Sequence, residues 1–443
     1  MTVAEREWDA TALERETTTV LRRLVGFNTV NPPGNERPAL EYLASYLRTA
    51  GFETELLGTR EDRPNLIATL SGAADGPTLG FLGHVDTVLA DPSEWTHDPW
   101  SGEVADGFLW GRGAIDMKSQ VAAEAVGAIS LAGSGWRPAR GQLKLMFVCD
   151  EETGGELGAR WLTEQRPEKV ACDLLVNEGA GEVFEYAGRR RYGVCCAEKG
   201  IFRFELTVRG VAGHASLPRM GDNALLKLVP VLEKLGRSEL AYDVGPVPAA
   251  LLRELGEDPD DPAAAVARIA AADPLLAALV EPLLGVTMAP TMVHASDKIN
   301  VIPSRAWVRV DCRVPPGLST ERVQQRVAEA LGESSDQVEL DFTEIITGNE
   351  SPIETPLMEA ISRWVEASDA GAGTVPVVLS GGSDSRWFRA AFPECVAYGF
   401  FPQRHMSMHE TAPLVHSANE RIDVRDLGFA AQFFRDIARD LLG

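Results

Sequence analysis

The sequence lacks long apolar runs, an excess of positive charge and paired cysteines, and each absence excludes a class of protein. No stretch approaches 18 uninterrupted apolar residues, and the most apolar one, around 275–284, is broken by Glu281 and Pro282, so we expect no membrane-spanning helix. Residues 1–9 show no basic-then-apolar signal peptide. Against 65 acidic residues stand 42 lysines and arginines, a formal charge of −23. Such a field repels phosphate backbones and anionic lipids, so we expect neither nucleic acid nor a membrane as partner.

The six cysteines form no C-x-x-C pair and lie mostly in apolar stretches. This usage is typical of reduced, buried thiols rather than of a disulfide or thiolate-metal framework, so we expect a cytoplasmic protein. Apolar residues make up 45% of the 443 positions and charged residues 24%. These values indicate an ordered globular protein of two or three domains.

Helix-like and strand-like segments alternate over residues 11–183. Short apolar runs at 78–82, 143–149 and 173–176 predict strands buried on both faces, and residues 120–131 predict a helix between two of them. Strands that alternate with helices predict an α/β fold with a mostly parallel sheet flanked by helices.

The pattern changes near residue 198 and returns after about 347. Between these points the predicted elements follow the order βαββαβ, the arrangement of a small two-layer α+β domain. An acidic, Ala/Leu-rich stretch at 238–284 interrupts this order, and we expect it to add helices. The sequence therefore predicts a catalytic domain in two parts, 1–197 and 348–443, with an inserted lid or dimerisation domain, 198–347.

Acidic and imidazole side chains follow each predicted buried strand or precede the helix between them: His84, Asp86, Glu151, Glu152, Glu178 and Asp116. In open α/β sheets, ligands bind beyond the carboxyl ends of the strands, where these groups would meet. Five carboxylates in one crevice repel one another unless positive charge compensates them. Two divalent cations would supply that charge, and imidazole with carboxylate but no thiolate suits Zn, Mn or Co.

The local spacing suggests separate roles for these side chains. His84 and Asp86 are two residues apart and point to the same side of an extended chain, so Asp86 can steer the site around His84. Glu151 and Glu152 are adjacent and diverge, so one can bind metal while the other faces the substrate water. Asp116 is the candidate for a carboxylate that bridges two cations, although its place before a helix is also typical of an N-cap.

Eight short motifs lie in one order along nearly the whole chain: GHVDTV at 83–88, GRGAIDMK at 111–118, DEETG at 150–154, NEG at 177–179, GHAS at 213–216, NVIP at 300–303, GGSDSR at 381–386 and HSANE at 416–420. Together they resemble the successive signatures of the dinuclear zinc amidohydrolases. That family includes aminoacylase, carboxypeptidase G, acetylornithine deacetylase and succinyl-diaminopimelate desuccinylase. The resemblance extends through the inserted domain.

The resemblance implies the following ligands for two zinc ions: His84 and Glu178 on one, Glu152 and His416 on the other, and Asp116 between them. It also implies that Glu151 is the general base and that Asp86 contacts the metal ligands rather than the metal ions. His409 competes with His416 as a ligand, but only His416 is followed by the Asn-Glu of the family motif.

For the substrate, the resemblance implies that Arg386, in the motif that also contains Ser383, and Arg313 meet a free carboxylate. It implies that His214 is lent across a homodimer, formed through the inserted domain, to the carbonyl oxygen of the substrate. Asn300 would be a further polar contact. Asn300 before Val-Ile-Pro also fits a turn residue, and Arg313 also fits a surface ion pair.

The expected function is hydrolysis of the amide bond of N-acyl amino acids or small peptides that carry a free carboxylate. Metal-activated water and a glutamate base would perform it. Dipeptidase or carboxypeptidase action is the alternative within this class. A non-catalytic descendant that binds peptides is an alternative from another class, disfavoured because Glu151 serves catalysis rather than folding.

Overall fold

The computed structural model describes residues 7–443, which divide into two units. The first unit contains the described residues up to Cys196 together with Ser351–Val377 and Ser383–Gly443, and the second contains Ala197–Glu350 and Val378–Gly382. The sequence predicts domain boundaries after residues 197 and 347. It gives no sign that Val378–Gly382 groups with the second unit.

The first part of the chain contains the following helices: α1 (Ala10–Val25), α2 (Arg37–Arg48), α3 (Lys118–Gly133), α4 (Ala159–Gln165) and α5 (Pro167–Val170). Its strands are β1 (Glu53–Leu57), β2 (Asn65–Ser71), β3 (Thr78–His84), β4 (Val104–Ala105), β5 (Phe108–Trp110), β6 (Gln142–Val148), β7 (Leu174–Asn177), β8 (Glu182–Tyr186) and β9 (Arg189–Glu198).

The middle of the chain continues with β10 (Gly200–Arg209), β11 (Gly213–His214), α6 (Ala224–Arg237), α7 (Pro246–Leu255), α8 (Pro262–Ala272), α9 (Pro274–Val280), β12 (Thr287–His294), β13 (Val301–Ile302), β14 (Arg305–Val314), α10 (Thr320–Leu331), β15 (Glu339–Ile346) and β16 (Asn349–Glu350). The last part contains α11 (Pro356–Ser368), β17 (Gly373–Leu379), α12 (Ser385–Ala391), β18 (Val396–Gly399), β19 (Gln403–Ser407), α13 (Met408–Thr411), β20 (Arg421–Asp423) and α14 (Val424–Leu442).

The main sheet of the first unit has a parallel centre. Its strands follow the order β1-β2-β6-β3-β7-β18-β9-β8-β19, and β6, β3, β7 and β18 pair in parallel. Every residue of β3 is buried, as its unbroken apolar sequence predicts. The predicted α/β class is confirmed. Because β6, β3 and β7 are parallel neighbours, their carboxyl ends lie side by side, and the loops that follow them can share one site.

Helix α3 fixes the start of one of these loops. Its residues from Lys118 to Ala132 are all buried, and it packs against α1, α14 and β3. The approach to α14 is close, because a Cβ on Gly127 would lie 2.7 Å from the carbonyl oxygen of Ala431. Small residues therefore let α3 pack closely against its neighbours. Its N-cap is Met117 rather than Asp116, which is the residue before the cap.

The second unit contains an antiparallel sheet in the order β12-β14-β10-β15. Helices α6 and α10 supply buried residues such as Leu228 and Val327 to its core, together with inward residues of the strands such as Phe204 and Val308. The main elements occur in the predicted order βαββαβ. The predicted extra helices of 238–284 are α7, α8 and α9, followed by a short 3-10 turn.

The sequence predicts neither a membrane-spanning helix nor disulfide bonds. Among residues 7–443, no helix combines the length and the hydropathy that crossing a bilayer would require. All six cysteines lie within these residues; each is buried, and none forms a disulfide bond.

Candidate active site

Three neighbouring parallel strands deliver side chains to one edge of the main sheet. Strand β3 ends at His84, β6 is followed by Glu151 and Glu152, and β7 is followed by Glu178. Asp116 reaches the same place from the loop before α3.

The two histidines face opposite oxygens of Asp116. Its Oδ1 lies 3.1 Å from Nε2 of His84, and its Oδ2 lies 3.1 Å from Nε2 of His416. On one side, Glu178 Oε1 is 3.7 Å from the His84 nitrogen. On the other side, Glu152 Oε2 is 3.3 Å from the His416 nitrogen. The predicted ligands are thus brought together with Asp116 in the middle, and His416 is the histidine that faces its second oxygen.

Glu151 belongs to the same cluster. Ligand atoms of His84, Glu151 and Glu178 lie within 4.8 Å of one another, as do those of His84, Asp116 and Glu152. The two groups share the His84 imidazole, so their five side chains form one cluster. Glu151 and Glu152 therefore both reach the site, although they are adjacent in the chain.

The cluster produces a strongly negative field. Burial raises the pKa of Glu151 well above its ordinary value, and the Glu178 carboxylate adds to this effect. Burial, opposed by the His84 imidazole, raises the pKa of Glu178 to about 7. Hydrogen bonds with Asp116 and Glu152 raise the pKa of His416 to about 10. A field that stabilises an imidazolium in this way also attracts metal cations.

His84 is oriented to bind such a cation. Burial alone would lower its pKa, but the carboxylates of Glu178 and Asp116 outweigh burial and raise it. Its Nδ1 lies 3.0 Å from the backbone carbonyl oxygen of Asp86. A carbonyl oxygen only accepts hydrogen bonds, so Nδ1 carries the hydrogen and Nε2 is left to face the cluster.

The donor set fits two divalent cations. It consists of two imidazoles and half-buried carboxylates, without thiolates, which suits Zn, Co or Mn. Within residues 7–443, Oε1 of Glu152 is a buried oxygen without a hydrogen-bond partner, as expected of an atom available to a metal. Asp116, with one oxygen toward each histidine, has the geometry of a bridging carboxylate.

The carboxylate of Asp86 holds the turn that bears both glutamates. Its Oδ1 accepts a hydrogen bond from the backbone N–H of Glu151, and its Oδ2 accepts one from the N–H of Glu152, each at 3.2 Å. It also lies 3.6 Å from Nδ1 of His84. The sequence predicted only that Asp86 steers the site around the histidine. The sequence did not predict the hydrogen bonds between Asp86 and the backbone of the turn.

Glu420 is a second residue whose role the sequence did not reveal, although it closes the HSANE motif. Its carboxylate accepts hydrogen bonds from the backbone N–H groups of Gly113, Ile115 and Asp116, and from the guanidinium of Arg112. It therefore joins the loop of the central aspartate to the segment that carries the second histidine.

Arg386 and Ser383 lie beside the turn of Glu151 and at the end of β7. Nη2 of Arg386 donates a hydrogen bond to the carbonyl oxygen of Gly154 at 3.3 Å, and the guanidinium stacks over Trp387. Ser383 is buried, and its hydroxyl accepts a hydrogen bond from Nδ2 of Asn177 at 3.4 Å. In this structure, Ser383 therefore binds protein groups, and its contact with substrate stays a prediction.

The remaining predicted residues belong to the second unit. His214 is exposed and its Nδ1 is hydrogen-bonded to the hydroxyl of Ser216 at 2.7 Å. Asn300 is exposed in a turn, and its carbonyl oxygen accepts from the N–H of Ala215, so the backbone segments that carry His214 and Asn300 lie side by side. Arg313 forms an ion pair with Asp311 at 2.6 Å, which favours the surface ion pair.

Comparison with known proteins decides the family. The model of peptidase family M20/M25/M40 matches residues 80–440. The chain belongs to this family. It is 28% identical to the succinyl-diaminopimelate desuccinylase of Cereibacter sphaeroides, over 91% of this chain and 94% of that protein. The predicted class, a dinuclear metallohydrolase that acts on amide bonds, is confirmed, as is the resemblance on which it was based.

Solved structures of the family have the same fold. The M20 family metallo-carboxypeptidase Sso-CP2 of Sulfolobus solfataricus superposes with a TM-score of 0.71 at 17% identity, covering 95% of this chain and 98% of that one. The YxeP protein of Bacillus subtilis, described as a dinuclear metal-binding peptidase, gives a TM-score of 0.63 at 15% identity, covering 98% of this chain and 99% of that one. At these identities the likeness concerns the fold alone.

Proposed function

We propose that this M20 hydrolase is a deacylase that releases an amino acid with a free carboxylate from its N-acyl derivative, with N-succinyl amino acids as the first substrates to test. One observation carries the proposal: both oxygens of Asp116 face imidazole nitrogens at 3.1 Å, while half-buried Glu151 reaches the same cluster. The similarity to a desuccinylase over 91% of the chain favours a short acidic acyl group.

Two zinc ions, with cobalt or manganese as alternatives, are the proposed cofactors. One would be held by His84 and Glu178 and the other by Glu152 and His416, with Asp116 shared. When bound, such ions activate water and polarise the amide carbonyl.

Glu151 is the proposed general base. Burial raises the pKa of Glu151, so its carboxylate holds a proton more readily than a free glutamate and can accept one from water and later return it. The proton would pass to the nitrogen of the departing amino acid, which then leaves as a neutral amine. Asp86 would keep the Glu151 backbone in place during both transfers.

Arg386 is the proposed contact for the free carboxylate of the substrate. A planar guanidinium offers two parallel donors, which match a carboxylate better than a lysine does. Its hydrogen bond to Gly154 places it beside the turn that carries Glu151. Ser383 would act by joining the segment that carries Arg386 to Asn177 at the end of β7. For Arg313 we propose only the ion pair with Asp311.

We also propose a homodimer formed through the second unit. Strand β12 is an edge strand whose residues 289–294 are exposed, and its outward side chains include Met292 and Val293. Helix α6 exposes Leu226 and Val229. Contiguous exposed apolar side chains mark interfaces, and a second copy of the chain is the proposed occupant. His214 and Asn300 would then contact the carbonyl oxygen in the partner's site. The buried reduced thiols support a cytoplasmic location.

The test is a panel of substrates offered to the zinc-loaded protein. It contains N-succinyl, N-acetyl and long-chain N-acyl amino acids, dipeptides, and the same N-acyl amino acids with the carboxylate converted to an amide. We expect N-acyl amino acids to be hydrolysed, their amidated analogues to react at least tenfold more slowly, and chelation to abolish turnover. Preferential cleavage of dipeptides would identify a dipeptidase instead. Failure to cleave any member with zinc, cobalt or manganese would refute the proposal.

A further inference from the structure

A segment far from the site in sequence lies along the loop that leaves β3. The backbone N–H of Asn31 donates to the carbonyl oxygen of Thr87 at 2.9 Å, and the hydroxyl of Thr29 donates to the carbonyl oxygen of Val85 at 2.6 Å. Val30 forms a parallel bridge with Thr87. The backbone on both sides of Asp86 is therefore paired with residues 29–31, which determine where the side chain of Asn31 points.

That side chain reaches the turn of the general base. Its Nδ2 lies 2.9 Å from Oδ2 of Asp86, 3.0 Å from the hydroxyl oxygen of Thr153 and 3.2 Å from Oδ1 of Asp150, so its two N–H groups are shared among three acceptors. Asn31 is 6% exposed. One buried amide group thus connects the carboxylate that grips the turn with two residues of the turn itself.

A buried ion pair supports this arrangement from behind. The guanidinium of Arg63 forms two hydrogen bonds through Nε and Nη2 to Glu36, and its Nη1 lies 3.1 Å from Oδ1 of Asp150. Both Arg63 and Glu36 are almost fully buried. Asp150 is therefore held from two sides, by a cation and by the Asn31 amide.

We propose that Asn31 is a positioning residue that fixes the Glu151–Glu152 turn through Asp86 and Asp150. The catalytic consequence rests on the proposed function, but the restraint on the backbone does not. An amide suits this place because it is a neutral donor between two carboxylates. An aspartate of the same shape would offer no donor and would add a third negative charge to a buried site.

The inference is tested with Asn31→Ala and Asn31→Asp, and with Asn28→Ala as the matched control. Asn28 is an exposed asparagine of the same segment whose side chain accepts only from the nearby N–H of Val30. Hydrogen exchange of residues 149–157 is measured by mass spectrometry in the full chain, with zinc and after chelation. We expect exchange at least tenfold faster in both Asn31 variants and unchanged in the control.

Turnover gives the second readout. With any substrate of the panel, kcat should fall at least tenfold in the Asn31 variants while KM changes less than threefold, because the base is displaced and the carboxylate contact is not. If Asn31→Asp does not fold, Asn31→Ala decides alone, since it adds no charge. Exchange in Asn31→Ala within twofold of wild type would overturn the inference. A wild-type enzyme inactive on the whole panel would refute only the proposed function, and exchange would still decide this one.

Discussion

Glu151 and Glu152 are adjacent residues with different partners, so their roles can be separated by single substitutions. Glu152 approaches His416, whereas Glu151 groups with His84 and Glu178. Glu151→Gln keeps the shape of the side chain and removes its ability to accept a proton. We expect turnover to fall by at least 10², with KM, zinc content and melting temperature little changed.

The matched control for this substitution is Glu156→Gln. Glu156 lies in the same loop but is exposed and pairs with Arg160. It should leave turnover unchanged. Steady-state kinetics and metal analysis on both variants check the prediction. Near-normal turnover in Glu151→Gln would remove this residue from the role of base, and loss of zinc would show that it binds metal instead.

Which residues the sequence could reveal depended on how far apart in the chain the interacting groups lie. His84, Glu151 and Glu178 follow apolar runs that predict buried parallel strands, so their meeting could be foreseen. Asn31 is 55 residues from Asp86, and no local pattern joins them. Its contact depends on the pairing of residues 29–31 with the loop after β3, which is a tertiary event.

At the scale of elements, the strands and helices were predictable wherever hydrophobic periodicity was strong. The helix predicted for 120–131 lies within α3, and the strand predicted for 78–82 continues to His84 as β3. The grouping of Val378–Gly382 with the second unit could not be predicted, because it depends on contacts between segments far apart in the chain. For the region 238–284, the sequence predicted helices but not how these helices pack against one another.

A buried lysine ties the start of β10 to the end of this helical region. Nζ of Lys199 donates to the carbonyl oxygens of Pro282 and Gly285, each at 2.7 Å. Burial lowers the pKa of Lys199 to about 7. In the unfolded chain a lysine holds its proton up to about pH 10.4. Between these values the unfolded state binds more protons, so the contribution of Lys199 to stability rises with pH and is lost as pH falls through 7.

We therefore expect Lys199→Met to destabilise the second unit more at pH 9 than at pH 6, by about 2–3 kcal/mol. Below pH 7 the wild-type protein bears the cost of a buried charge, which the variant avoids. Urea unfolding checks this, with the unfolded fraction of β10 and β14 read by a brief hydrogen-exchange pulse at one fixed pH. Lys227→Met, at an exposed lysine of α6, is the control. A larger loss of unfolding free energy in Lys199→Met at pH 6 than at pH 9 would contradict a lowered pKa for Lys199.

At the scale of the whole molecule, the proposed dimer makes each active site depend on two chains. Glu151 and the proposed metal ligands belong to the first unit, whereas His214 and Asn300 belong to the second. If His214 serves the partner's site, a chain without Glu151 can still assist a chain without His214. Each variant alone, Glu151→Gln or His214→Ala, should be nearly inactive.

Mixed dimers of these two variants should recover activity. In an equimolar mixture half of the dimers are mixed, and one of the two sites in each is complete, so about a quarter of wild-type turnover is expected. Turnover after co-expression, with sedimentation to establish the dimer, measures this. Glu151→Gln mixed with His84→Ala is the control. Both substitutions lie in the first unit, and each inactivates the site of its own chain. No site in a mixed dimer then contains both Glu151 and His84. If His214 acted within its own chain, the Glu151→Gln and His214→Ala mixture would stay as inactive as this control.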